Sequence, residues 1–335
     1  VSDQNLFAQQ QSNRRKSLWL VVGFIVFFAW VGFGGDLAFY LNTRGLPPER
    51  YHHAIPFIGL ATMAFAAGTA RYAWVNGAKR VLDASQAQEL INPATPELKR
   101  LDNVVEEMSI AAGIPKPKIW IVPDADPNAF ATGSEPSKAN IAVTQGLLDT
   151  LDRDELQGVI AHEMAHIRNL DTRLMTLLAA MVGAIVLMSN LLKHSLRGGA
   201  RVGGRGGGKS KNPLALVILV AWILTLILAP IITALLQMAV SRKREYLADA
   251  TGSQLNRNPM ALASALEKID SAAAPTANIM KGSAHMCIVD PAGSRFTAKE
   301  GFVGDLFASH PPIRLRVARL RGMGYAHEKR IGNGE

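Results

Sequence analysis

Cysteine is nearly missing from this chain: Cys287 is the only one among 335 residues. No intrachain disulfide is possible, so nothing here calls for an oxidising compartment. Beside Ile288 and Val289 the thiol reads as a small buried apolar residue. There is no internal repeat, no nucleic-acid motif and no interleaving of aromatic with basic residues. The net charge of +9 is therefore not read as a nucleic-acid surface. Its Lys and Arg residues gather beside apolar runs and in a Gly-rich stretch, as charges flanking a membrane do. No small-x-small cleavage site cleanly follows the first apolar run, which is too long for the core of a signal peptide. The chain opens on Val1 rather than Met, as a processed or cropped start would.

Hydrophobic residues make up 48% of the chain and concentrate in four runs. A loose polar segment over residues 1–13 and the basic Arg14, Arg15 and Lys16 precede the first run, Leu18 to about Tyr40, which Gly34, Gly35 and Asp36 interrupt. At 1.5 Å per residue it covers roughly 30 Å, enough to cross a bilayer, with Trp19 and Tyr40 near its interfaces. The second run, about 54–75, completes a membrane hairpin spanning 1–76. The third and fourth, about 174–192 and 214–240, form a second hairpin over 173–240 around a basic, Gly-rich loop, 193–213, expected to be disordered. Pro230 kinks the fourth. Residues 77–172 and 241–335 read as water-soluble and together make one domain.

Within that domain Thr95 caps a helix that has Pro96 at its first position and is stopped by Gly113 and Pro115. Strands are expected at Lys118–Val122 and Asn140–Thr144, with a short one near Met286–Val289. Asp152 and Glu155 have capping-box spacing and start a further helix. Asn258-Pro259 opens another, to about Ile269, and a last runs from Ile313 to about Arg321. Between the first two strands lies the extended-looking Asn128-Ala129-Phe130-Ala131-Thr132-Gly133: either a plain surface strand or an edge that pairs with an extended substrate.

The helix begun at Asp152 carries His162-Glu163-Met164-Ala165-His166. His162 and His166 stand one turn apart on one face, within reach of a single metal ion, and Glu163 projects beside them to hold a water. In this H-E-x-x-H arrangement Zn²⁺ is the expected metal and peptide hydrolysis the expected chemistry. A catalytic zinc takes a third protein ligand and keeps one position open. Glu245 and Asp249, at i and i+4, offer it: one can bind metal while the other accepts a hydrogen bond from a ligand imidazole. The plain alternative is a solvated acidic face beside Arg242, Lys243 and Arg244.

Taken together, Asn128–Gly133, the His162–His166 motif with Asn169 and Asp171, Glu245-Tyr246-Leu247-Ala248-Asp249-Ala250, and Ser309-His310-Pro311-Pro312 followed by Arg316 make the chain resemble the HtpX-type membrane zinc metallopeptidases, relatives of the prenyl-protein peptidases. The resemblance implies an α+β fold: a mainly helical, gluzincin-like zinc peptidase domain with a small β-sheet, joined to four transmembrane helices in two hairpins. It implies one Zn²⁺ per chain on His162, His166 and Glu245, with Glu163 as general base. Asp249 and Asn169 would support the ligands. His310 and Arg316 would face the developing oxyanion, and Asn128–Gly133 would be the edge that aligns substrate. It further implies a multi-pass protein of the bacterial inner membrane, its active site facing the cytoplasm, that cuts membrane proteins or unfolded polypeptides in quality control. Processing of lipidated C-termini is the nearer rival, and a metal-binding adaptor without turnover the more distant one. The basic residues near the first hairpin and the motif helix favour the cytoplasmic face; those of loop 193–213 oppose it.

Overall fold

The computed structural model describes residues 3–43, 55–178, 181, 244–272, 287–288 and 311–332. They are mainly helical around a small mixed sheet. Two compact units emerge. One comprises Val1–Ser17, Val75–Ala179 and Leu236–Glu335; the other comprises Leu18–Trp74 and Ala180–Leu235.

The second unit carries the first two apolar runs. Helix α1, Asp3–Thr43, starts earlier than the apolar pattern suggests, so residues 3–13 are helical rather than loose. Polar side chains in that first stretch have fixed partners, as described below, and their hydrogen bonds offset the ordering cost. The helix also continues through Gly34 and Gly35. Asp36 is tolerated because its carboxylate accepts the backbone N–H groups of Ile58 (3.3 Å) and Gly59 (2.7 Å), free donors at the start of helix α2, Phe57–Ala84. Phe24, Phe28, Ala66 and Ala70 pack between the two helices. The outward face is apolar as well: Trp19 is 67% exposed and Val26 60%. Among the described residues one stretch, Gln10–Leu37, is long and apolar enough to cross a membrane. Most of the third run and all of the fourth, with the loop between them, lie outside the described residues.

In the other unit, strands β1 (Gln88–Glu89), β2 (Lys118–Val122), β3 (Ala129–Thr132) and β4 (Asn140–Thr144) form a sheet in the order β1-β2-β4-β3. β2 and β4 are parallel, while β1 and β3 run antiparallel to their neighbours. Helix α3, Pro96–Ala112, has the expected Thr95 cap and ends on Gly113 in the left-handed region at φ 66. After a short α4, Gln145–Thr150, the Asp152–Glu155 capping box opens α5, Arg153–Arg168. α5 packs against α3, β3 and α8, Pro259–Ser271. It is nearly all buried, with Leu156, Val159, Ile160, Met164 and Ile167 in the core. Residues 171–178 and 244–256 are helical and are designated α6 and α7. α9, Ile313–Gly332, outlasts the expected end near Arg321. Its Val317 and Leu320 join the same core.

Candidate metal centre

α5 places His162 and His166 on one face, and α7 crosses it closely. Gly252 of α7 permits that approach, since a Cβ there would stand 2.9 Å from the backbone N of His162 and 3.0 Å from its Cα. Glu245 and Asp249, two turns and one turn earlier on α7, thereby reach the imidazoles. His162 Nε2 lies 3.1 Å from His166 Nε2 and 3.6 Å from Glu245 Oε2; His166 Nε2 lies 3.4 Å from Glu245 Oε1. These are acceptor atoms converging on one point. Ligands at 2.0–2.1 Å from a tetrahedral zinc stand about 3.3 Å apart, so the three separations fit one shared ion.

Each imidazole turns its other nitrogen to a carboxylate. Asp249 Oδ1 is 3.0 Å from His162 Nδ1, an ion-pair contact off the axis of a directed hydrogen bond. Asp171 Oδ2 is 3.2 Å from His166 Nδ1. With protons drawn to the Nδ1 atoms, both Nε2 lone pairs face inward. In their ionised forms Glu163, Glu245, Asp249 and Asp171 outnumber the buried guanidiniums of Arg244 and Arg316 by two. That deficit is the charge of a divalent cation. Burial lowers the pKa of both rings, but the carboxylates outweigh it: Asp249 and Glu245 raise His162, and Asp171 and Glu245 raise His166 well above the ordinary value.

Glu163 is 1% exposed, and neither carboxylate oxygen accepts a hydrogen bond among the described residues. Burial pushes its pKa up. A carboxylate left without donors in the interior is costly, and here it borders a cleft of about 20 Å³ shared with His166, Glu245, Ala131, Thr172 and Met175. That space suits one water molecule. The donor set and this orphaned carboxylate both fit a hydrolytic metal.

Arg316 takes a different place from the oxyanion-facing one expected. It is fully buried, and its Nε and Nη2 donate to the two oxygens of Asp249 at 2.9 and 2.7 Å. Nη1 donates to the Ile288 carbonyl at 2.9 Å and lies 3.3 Å from Glu245 Oε2, while Nη2 is 3.5 Å from His162 Nε2. With its donors committed in this way, the guanidinium orients the carboxylates behind the imidazoles. Asn169 also differs from expectation: among the described residues its side chain makes no ligand contact, and its backbone N–H caps the end of α5. The carboxylate behind His166 is Asp171, a role sequence reasoning missed although Asp171 stood within the quoted motif. His310 lies outside the described residues.

The Asn128–Gly133 segment is an edge of the sheet, but an engaged one. Ala129 O accepts the Ile288 N–H at 3.0 Å, and Phe130 is bridged antiparallel to Cys287. Gly133 N donates to Thr176 Oγ1 at 3.3 Å, and the Thr132 and Thr176 hydroxyls are 3.0 Å apart. Of the six residues, Ala131 lines the cleft.

The model of Peptidase family M48 matches residues 96–324. A "Protease HtpX homolog" of Dictyoglomus turgidum is 42% identical over 318 residues, covering 94% of this chain and 93% of that protein. Another, of Caldanaerobacter subterraneus subsp. tengcongensis, is 45% identical over 233 residues, covering 69% of this chain and 74% of its own. Among solved structures, that of S. mikatae Ste24p aligns over 94% of this chain and 67% of its own, at 17% identity and a TM-score of 0.45.

Proposed function

Because the chain belongs to Peptidase family M48 and is thus a metallopeptidase, we propose that it is a zinc endopeptidase in which His162, His166 and Glu245 hold the ion. The observation that carries this reading is the convergence of His162 Nε2, His166 Nε2 and the Glu245 carboxylate within 3.1 to 3.6 Å. When bound, zinc supplies Lewis acidity and lowers the pKa of water to about 7.

The rest of the chemistry belongs to the chain's own side chains. Glu163, raised in pKa by burial, takes the proton of the attacking water and passes it to the leaving amine. Asp249 and Asp171 keep the two rings in the tautomer that leaves Nε2 free. Arg316 holds Asp249 in register. Ala131 is the segment of β3 best placed to meet substrate backbone, and His310 remains the proposed oxyanion donor.

The apolar, outward-facing face of α1 supports a membrane protein, and the bacterial inner membrane is its proposed location. Four crossing helices in two hairpins, over 1–76 and 173–240, would flank the peptidase domain of 77–172 and 241–335. Arg14, Arg15, Lys16, Lys79 and Arg80 favour a cytoplasmic active site. Misassembled membrane proteins and unfolded polypeptides are the proposed substrates. Cysteines placed singly in 193–213 and labelled from each side test the topology, since labelling from the cytoplasmic side would remove the crossing of the second hairpin.

The catalytic test uses detergent-purified protein and an unfolded substrate. Chelation should abolish cleavage and zinc should restore it. Glu163→Gln should retain zinc while losing about 10³-fold in kcat, within the usual range for a general base. Normal turnover by that variant would remove the mechanism.

A further inference from the structure

Resting on the metal reading above, we propose that Asn13, in the polar stretch ahead of the first apolar run, is a positioning residue of the metal centre. It would set the orientation of His166 through Asp171. Asn13 is fully buried in α1. Its Nδ2 donates to Asp171 Oδ1 at 2.7 Å and to the Asn169 carbonyl at 2.8 Å. Both partners are acceptors, and the amide nitrogen, with two N–H donors, satisfies both. The other carboxylate oxygen, Asp171 Oδ2, faces His166 Nδ1 at 3.2 Å. A two-oxygen carboxylate pinned at one oxygen presents the other in a fixed direction, which fixes the ring plane and the aim of Nε2. Arg244 also approaches Asp171 Oδ1, but at 3.5 Å. The Asn13 contact is the short one.

The same amide closes the end of α5. Asn169 O lies just past the last helical turn, where carbonyls lack intrahelical partners. Gln10, one turn earlier on α1, donates to Arg168 O at 2.7 Å. The two residues therefore divide the work. Among the described residues Gln10 hydrogen-bonds only backbone, whereas Asn13 bonds backbone and the carboxylate behind a ligand. That difference separates docking of the segment from orientation of the ligand.

The experiment measures zinc affinity of the full-length protein in detergent by competition with a chromophoric chelator, and the visible spectrum after Co²⁺ substitution. Asn13→Ala should weaken zinc binding about tenfold, the lower end for loss of a group supporting a ligand, and should alter the Co²⁺ spectrum. Gln10→Ala should change affinity by about twofold or less. Because Asn13 is proposed to act through Asp171, Asn13→Ala should cost nothing further in an Asp171→Ala background; an effect on folding alone would add. Equal losses from Gln10→Ala and Asn13→Ala, additive losses in the double variant, or unchanged affinity in Asn13→Ala would each overturn the proposal. Wild-type protein that binds no zinc, or binds it after both His162 and His166 are replaced, would instead sink the metal reading beneath it.

Discussion

His162 and His166 stand one turn apart on the same helix, yet they are held from opposite directions along the chain and by partners of different character. Behind His162 is Asp249, gripped at both oxygens by the fully buried Arg316 from the last helix. Behind His166 is Asp171, bonded to the neutral amide of Asn13 from the first helix, with Arg244 at 3.5 Å. One support is a compensated ion pair, the other a carboxylate steadied chiefly by a neutral donor. A buried pair is costly to break, because the surviving partner is left charged in a poor solvent for charge. Loss of the neutral amide removes a hydrogen bond but no charge, and Arg244 still faces Asp171. The first support should therefore carry folding as well as function, and the second chiefly function.

The largest effect expected from this contrast is that of Arg316→Ala. It strands Asp249 and should cost roughly 3–5 kcal/mol of stability, seen as a drop in the denaturation midpoint of metal-free protein. Replacing the pair together, Arg316→Met with Asp249→Leu, should regain much of that loss without restoring zinc affinity. If Arg316→Ala leaves the midpoint unchanged, the contrast between the two supports is gone.

Next in size are the carboxylates themselves. Asp249→Asn and Asp171→Asn should each weaken zinc binding by about 10–100-fold. Asp249→Asn should lower the stability of the metal-free protein more, because it takes from Arg316 a carboxylate held at 2.7 and 2.9 Å, whereas Asp171→Asn takes from Arg244 one held at 3.5 Å. Matched melting curves with matched affinities would sharpen the comparison; equal destabilisation by both would break it.

The smallest effect is an acid dependence. Burial alone would raise the Asp249 carboxyl, but Arg316 and His162 hold it at about 2, below its usual 3.8. A depressed carboxylate contributes its stability in full above the unfolded value and loses it as the pH falls through the folded one. About 2 kcal/mol should therefore fade between pH 4 and 2. Denaturation midpoints followed across that interval should show the loss in the parent protein and not in Asp249→Asn.

Much of this arrangement is legible in local sequence because the forces behind it are local. The Thr95 and Asp152 caps, the Pro96 and Pro259 starts and the i, i+4 spacings of His162/His166 and Glu245/Asp249 are consequences of helix geometry, and the structure contains them as expected. Arg316 resisted because a buried guanidinium is indistinguishable in sequence from its exposed neighbours Arg314 and Arg321. The engaged edge of β3 resisted because one hydrogen bond from Ile288 and one bridge from Cys287, over 150 positions away, decide it. Asn13 resisted because a polar residue ahead of an apolar run looks solvated until something folds over it.

The amino-acid order alone determined where the capped helices begin and which side chains offer acid, base and ligand atoms at helical spacing, since each of these is set within a few turns of backbone. Which carboxylate stands behind which imidazole was decided only by the tertiary fold. Hydrogen bonds of 2.7 Å between segments more than 60 residues apart depend on how helices pack, and packing is a property of the assembled core rather than of any stretch of sequence.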